Sequence, residues 1–386
     1  MTSDDEGSRF GPGRFEVVYR IAGPPDEGEA RANQIALEQT VEMPDEVVTD
    51  AGIRQHIIGR VERLNPLPDV ASSATISYSV DAAGDDLTQL LNVVFGNSSI
   101  QPGLRVEDVR LPEDYVHHYR GPRFGRAGLR DAVGVKDRAL LCTALKPMGS
   151  SSEELADLAY RFALGGIDIV KDDHGLANQS FAPFEERVER CVDAVERANR
   201  ETGLHCIYAP NVSAPGSETL RRARFAARAG AGAALVMPGL VGFGSMLELA
   251  LDDTVQLPLL MHPAFLGSFV AQREAGIAHG VLFGTLARLA GADASIFPSY
   301  GGRFAFEKSE CLAIRDAASA PIAQLRPIFP APGGGMVLER VPELLDVYGD
   351  DTILLIGGDL YRNGHDLTRN AARFRDLLQA RTTSAP

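Results

Sequence analysis

From Arg138 onward the chain alternates short apolar runs with amphipathic stretches. The runs are ALLCTAL (139–145), IDIV (167–170), CIY (206–208), AALVM (233–237), PLLM (258–261), ASIF (294–297), PIF (327–329) and TILLI (352–356). Between them, Ser152–Ala163, Phe184–Arg200, Ser217–Ala229 and Leu338–Tyr348 carry apolar residues three and four apart, the spacing of a helix with one buried face. Apolar strands without alternation read as parallel strands covered on both sides by helices. Eight such units over about 245 residues match a (β/α)8 TIM barrel, for which roughly 250 is typical. An open doubly wound sheet is the alternative.

The first third of the chain has a different rhythm. Arg14–Ile21 alternates apolar and polar residues like a half-buried strand. Asp26–Gln39 has helical spacing, with Ala30, Ile35 and Ala36 on one side. HIIGRVERL (56–64) and SSATISYSV (72–80) read as strands, and Asp85–Phe95 as a helix entered through aspartates suited to capping. Strand and helix in this order predict an α+β sandwich. The expected organisation is a loose tail over 1–13, an N-terminal α+β domain over 14–136 and a barrel over 137–386. The last six residues, RTTSAP, are expected to form a loose end.

Charge narrows the function. Lys and Arg number 38 against 52 Asp and Glu, a net charge of −14. Such a surface repels nucleic-acid backbones and anionic lipid, so neither is expected as a partner. A phosphorylated small molecule remains compatible, since a few local cations and amides suffice to hold it. Cys142, Cys191, Cys206 and Cys311 are far apart and form no CxxC pair, which argues for reduced, buried thiols and against a zinc ribbon. The start, MTSDDEGSRFGPGRF, lacks a basic segment and an apolar core, and no apolar run reaches the roughly 18–20 residues of a membrane span. A cytoplasmic protein is expected.

In a barrel the active site lies at the C-terminal ends of the strands. The residues there are Lys146-Pro147-Met148, Lys171-Asp172-Asp173-His174, Asn211, His262, the loop to Arg303, Gly333-Gly334-Gly335 and Gly357-Gly358-Asp359. The two glycine runs follow strands seven and eight, where barrels frequently hold a phosphate. Bare backbone amides approach an anion there without a Cβ in the way. Alternation on a strand puts Lys171 and Asp173 on one face, with His174 just beyond. A carboxylate and an imidazole are metal ligands; a protonated lysine is not, unless converted to a carbamate. Unmodified, Lys171 is expected to pair with Asp173. Lys146 and His262 are candidates for moving protons. The loop SYGGR offers Arg303 to a bound ligand. The alternative at each position is a tight turn, a surface ion pair or a packed histidine.

These residues fall in longer segments that resemble the RuBisCO large-chain family. GGIDIVKDDHGLANQSFAPFEERV resembles that family's carbamylated-lysine segment, and ALKPMG its first-strand lysine motif. MHPAF, GADASIFPSYGGRF, APGGGM and LLIGGDL continue the likeness in order, as do IALEQTVEMP and NVVFGN near the N-terminus. The resemblance implies a catalytic lysine at Lys146, a carbamylated lysine at Lys171, metal ligands at Lys171, Asp173 and His174, and a catalytic histidine at His262. It implies Mg2+ as the metal. It implies a phosphate site at Gly334, Gly335, Gly357 and Gly358, and a homodimer in which Glu38 and Asn97 serve the neighbouring subunit's site.

The departures matter as much. His174 stands where the family has a glutamate, and Arg303 where it has the loop lysine. Met148 replaces a second lysine, Gly333 a serine, and Met43 and Pro44 a threonine and a tryptophan. The second phosphate site is lost: its arginine is Pro263 and its histidine is Ile296. A bisphosphate would meet apolar side chains at one end, an unfavourable burial of charge. The resemblance is therefore to the form IV RuBisCO-like proteins, without CO2 fixation. Three enediolate reactions are known in that group. The expected one is decarboxylation of an oxo-sugar-acid phosphate of the 3-oxo-isoapionate 4-phosphate type, because Arg303 suits a substrate carboxylate. The alternatives are an enolase or isomerase of a methylthio-ketose phosphate, and a non-catalytic phosphometabolite-binding protein.

Overall fold

The computed structural model describes residues 9–362 and 364–384. These divide into two compact units. One comprises the chain up to Tyr119 with residues 266–282 and 322–324; the other comprises 120–265, 283–321 and the chain from Leu325 onward.

The first unit is a five-stranded sheet. Strands β1 (Arg14–Ala22), β2 (Arg60–Leu67), β3 (Ala71–Ser79) and β4 (Leu104–Arg110) pair antiparallel, and a two-residue strand β10 (Gly276–Ile277) adds in parallel to β4, giving the order β10-β4-β1-β3-β2. The expected alternation in β1 holds: Phe15, Val17, Tyr19 and Ile21 are all buried. Helices Gly28–Glu38 and Leu87–Phe95 pack on this sheet. Asp86 caps the second, accepting the N–H groups of Thr88 and Gln89 at 2.7 and 3.3 Å. The strand expected over 56–64 begins later. Ile53–Ile57 forms a wide helical turn, and β2 runs through Pro66, which an edge strand tolerates because its missing N–H faces no neighbour.

The second unit is the barrel. Strands β5 (Leu140–Leu145), β6 (Ile169–Asp172), β7 (Ile207–Ala209), β8 (Ala234–Val236), β9 (Leu259–Met261), β11 (Ala294–Pro298), β12 (Phe329–Gly333) and β13 (Ile353–Ile356) pair in parallel in the order β7-β6-β5-β13-β12-β11-β9-β8. Leu235 N donates to Pro210 O at 2.9 Å and Val212 N to Leu235 O at 3.1 Å, so β8 meets the end of β7 and the ring closes. Inward side chains fill the interior, among them Leu140, Cys142, Ile169, Ala209, Leu235, Leu260, Ile296, Phe329 and Ile353. All four cysteines are buried and free.

Two barrel strands sit further along the chain than the apolar runs suggest. β6 extends to Asp172, so Lys171 lies within the strand. β12 is Phe329-Pro-Ala-Pro-Gly333, not 327–329. Its prolines alternate, leaving Phe329, Ala331 and Gly333 as the N–H donors of one side. Phe329 N donates to Asp293 O, on the β11 side, at 3.0 Å. The side without donors faces β13, where pairing is confined to Gly333 and Leu355.

The ends also differ from expectation. Helix Leu367–Ser384 takes in 381–384, where the Arg381 guanidinium meets Asp346 at 2.8 Å. Residues 1–8, 385 and 386 lie outside the described residues. The units part at Arg120, not at residue 136, because helix Gly125–Val133 places Leu129 and Val133 in the barrel's core cluster. Among the described residues no helix is long and apolar enough to cross a membrane.

Candidate active site

The barrel order sets the site. β12, β13, β5 and β6 are successive neighbours, so the glycine loops after β12 and β13 lie beside Lys146 at the end of β5 and Lys171 on β6. Register confirms the levels: Ile356 pairs with Thr143, and Ala144 with Lys171.

The glycines of this corner fall into two classes. Gly334 and Gly335 have φ of +82° and +69°, which side chains adopt poorly, and a Cβ on Gly335 would stand 3.0 Å from Gly302 Cα. Backbone conformation and the close approach of the loop after β11 account for them. Gly357 and Gly358 have no positive φ, and a Cβ on either would meet nothing within 4 Å. Neither conformation nor packing within the chain requires glycine there. Open space over bare backbone is what an approaching phosphoryl group needs.

Lys171 is 1% exposed, and its Nζ donates to Asp172 O at 3.0 Å. Burial lowers its pKa from the ordinary lysine value. The expected pair between Lys171 and Asp173 is not the one that forms. Asp173 instead accepts from Lys146 Nζ at 2.5 Å, and its Oδ1 lies 3.5 Å from His174 Nδ1. Lys146 sits on the neighbouring strand end with a half-exposed stem that reaches the carboxylate, whereas the buried Lys171 amine turns to a carbonyl. Burial pushes Asp173 upward, but the hydrogen bonds from His174 and Lys146 outweigh it and hold the carboxyl well below the usual range.

His262, just after β9, joins this group from across the mouth. Its ring stacks on His174 with centroids 4.7 Å apart and planes 16° apart. Burial, followed by the charge of Lys171 and His174, pushes the His262 imidazole down to about 2. Ala264 N donates to His262 Nδ1 at 3.1 Å, so the ring's own proton sits on Nε2.

The support beneath these residues was not anticipated from the pattern of the chain. Asp172 points the opposite way from Lys171 and is wholly buried. It accepts from Arg187 Nε at 3.2 Å, Tyr208 OH at 2.6 Å and Asn211 N at 3.0 Å. Removing Arg187 would strand this carboxylate, a loss of about 3–5 kcal/mol. Asn211 Nδ2 donates to His174 O at 3.2 Å and Leu176 O at 2.8 Å, fixing the loop that carries His174. Tyr361 OH donates to Lys146 O at 3.2 Å, tying the turn after β13 to the end of β5. A polar residue bonded to backbone leaves no periodic trace in a sequence, so only the motif DDH, with Asp172 beside Asp173, hinted at an anchor.

Two groups of expected site residues make contacts of their own. Arg303 is exposed, its guanidinium 4.9 Å from the Phe304 ring centroid. Glu38 and Asn97 belong to the first unit and meet there: Asn97 Nδ2 donates to Glu38 Oε1 at 3.1 Å and to Glu42 Oε1 at 2.8 Å. Gln39 joins their two segments, accepting from Ser98 N at 3.0 Å. Pro263 follows the end of β9 and Ile296 lies on β11.

Comparison with known proteins agrees with this arrangement. Residues 125–380 match the model of the ribulose bisphosphate carboxylase large chain, catalytic domain. The chain belongs to the RuBisCO large-chain family. It is 44% identical over 361 residues to ribulose bisphosphate carboxylase-like protein 1 of Rhodopseudomonas palustris, covering 94% of this chain and 96% of that one. It is 40% identical over 362 residues to the 5-methylthioribulose-1-phosphate isomerase of Rhodospirillum rubrum, covering 94% and 95%. A crystal structure of a RuBisCO-like protein from Rhodopseudomonas palustris superimposes with a TM-score of 0.87 and 40% identity, covering 96% of this chain and 98% of that one. The barrel with its separate antiparallel sheet is thus the RuBisCO-like fold.

The family implies Mg2+, an ion that takes oxygen ligands in octahedral array. The side chains as they stand do not supply this. Lys171 is an amine, Asp173 one carboxylate and His174 an imidazole, and among the described residues no three His, Cys, Asp or Glu side chains gather as a metal site. Conversion of Lys171 to a carbamate would complete a set of three, with nitrogen in the third place.

Proposed function

We propose that this RuBisCO-like protein catalyses proton transfer at the carbon beside the carbonyl of a singly phosphorylated ketose with a methylthio end, as an isomerase or enolase of methionine salvage. One observation carries the reading: Gly357 and Gly358 need no glycine for the fold, yet face open space beside Lys146 and Lys171, while the far rim offers Pro263 and Ile296. One phosphoryl group has a seat, and the other end of the substrate meets apolar side chains. The likeness to a methylthioribulose-phosphate isomerase supports the methylthio end.

The residues divide the work as follows. The glycine amides hold the phosphoryl group. Lys146 Nζ, once it has left Asp173 and given up its own ammonium proton to solvent, removes the carbon-bound proton. His262 stays neutral and donates from Nε2 to the oxygen that gains negative charge. Lys171 Nζ, whose pKa burial lowers, would add CO2 to form a carbamate, with its protons passing to solvent. The carbamate, Asp173 and His174 would then hold a divalent cation, which when bound supplies positive charge beside the substrate oxygens. Glu38 and Asn97 would serve the site of a second copy in a homodimer.

A second reading, release of CO2 from an oxo-sugar-acid phosphate, is favoured by Arg303, which has no carboxylate partner among the described residues. The test offers purified protein, with Mg2+ and bicarbonate, 5-methylthioribulose 1-phosphate and 3-oxo-isoapionate 4-phosphate in parallel. Isomer or enol formed from the first, and lost in Lys171→Ala, is the expected result. CO2 from the second alone would give the decarboxylase. Tight binding without turnover of either would leave a phosphometabolite-binding protein.

A further inference from the structure

Beyond His262 the rim of the barrel holds a residue that neither packing nor backbone preference explains. Phe265 has φ +68°, the left-handed region that glycine enters freely and a phenylalanine does not. The residue is 75% exposed. The preceding residues impose this shape. His262 N donates to Val236 O at 2.8 Å, anchoring the end of β9, and Ala264 N then turns back to His262 Nδ1 at 3.1 Å. The turn that fixes the imidazole's tautomer delivers the next residue into a strained conformation with its ring in water. Both features are unfavourable for the folded chain. Strain kept beside a reacting group marks a functional position.

The chemistry around it says what the ring meets. Pro263 brings no cation and no N–H, and Ile296 on β11 is an apolar core residue. Neither of these two side chains can pair with a phosphate. An aromatic face does favour a thioether sulfur and its methyl group.

We propose that Phe265 is the specificity-determining residue of the site, its ring forming the seat for the thioether end of the substrate. The inference rests on the reading of the substrate as a methylthio-bearing monophosphate. It adds which side chain tells that end from a hydroxyl. An oxygen analogue gains little from the ring, so the ring sets the ratio between the two substrates.

The test compares wild type, Phe265→Leu and Phe265→Gly on 5-methylthioribulose 1-phosphate and ribulose 1-phosphate, by kcat/KM and by the dissociation constants of the same compounds. The preference for the thioether is expected to fall about tenfold or more in Phe265→Gly and by less in Phe265→Leu, as for losing a few apolar contacts. The melting temperature of Phe265→Gly is expected to equal or exceed that of wild type, because glycine relieves the positive φ. An unchanged ratio in Phe265→Gly overturns the proposal, and so does a lowered melting temperature. Loss of a dimer on gel filtration with the ratio intact overturns it too, assigning the ring to contact between copies. If wild type turns over neither compound, the reading of the reaction fails, and the ratio of dissociation constants still decides the role of Phe265.

Discussion

The two ends of the barrel mouth differ in how they treat glycine and charge. At the β12–β13 corner the backbone is bare, and two of its glycines, Gly357 and Gly358, are dispensable to the fold itself. At the β9–β11 rim the chain holds Phe265 at positive φ with its side chain exposed, beside the uncharged Pro263, and Ile296 lies on β11. One end is bare backbone and the other carries an exposed ring. On the proposed reading this asymmetry suits a substrate with one phosphoryl group. The candidate reacting groups Lys146, Lys171, Asp173, His174 and His262 belong to the same mouth.

The largest effect is expected at the glycine corner. Gly357→Asp places a carboxylate against the phosphoryl group, and like charges there cost several kcal/mol, so KM should rise about 100-fold or more. The melting temperature should stay put, because the new Cβ meets open space. Steady-state kinetics with thermal melting check both; a small KM change would remove the phosphate from this corner. A medium effect is expected at the rim. Pro263→Arg supplies a cation beside His262 and should tighten binding of ribulose 1,5-bisphosphate about tenfold, the worth of one charge-assisted hydrogen bond. Calorimetric titration reads it, and no gain would show that the rim is not where the second end lies. The smallest effect is expected at Arg303. Its guanidinium already rests on Phe304, so Arg303→Ala should change kcat/KM for the methylthio substrate by less than about threefold. A loss of two decades would instead favour a carboxylate-bearing substrate.

The fold was largely written in the pattern of apolar positions. All eight barrel strands occur near their apolar runs, and four amphipathic stretches are helices that cover them. What escaped follows from local chemistry that period alone does not carry. The apolar run PIF stops before the prolines of β12, yet a parallel strand needs each N–H only toward one neighbour, and alternate prolines leave that side intact. Residues 381–384 look like a frayed end until Arg381 finds Asp346 across the surface. The motif residues of the site were legible by type and spacing, but their pairing was not. Lys171 and Asp173 share a face, and sequence alone cannot tell that Lys146, from the next strand, reaches the carboxylate first at 2.5 Å. The buried anchor of Asp172 by Arg187 and Tyr208 depends on three elements meeting, which no linear spacing encodes.

The central claim is that this mouth draws a proton from carbon in a monophosphorylated ketose, with Lys146 as the base. Proton NMR of 5-methylthioribulose 1-phosphate in D2O with the protein follows that proton directly. The account predicts loss of the signal of the hydrogen beside the carbonyl as deuterium enters, and a signal that persists with Lys146→Ala. A signal that persists with wild-type protein while the ligand is bound would contradict it.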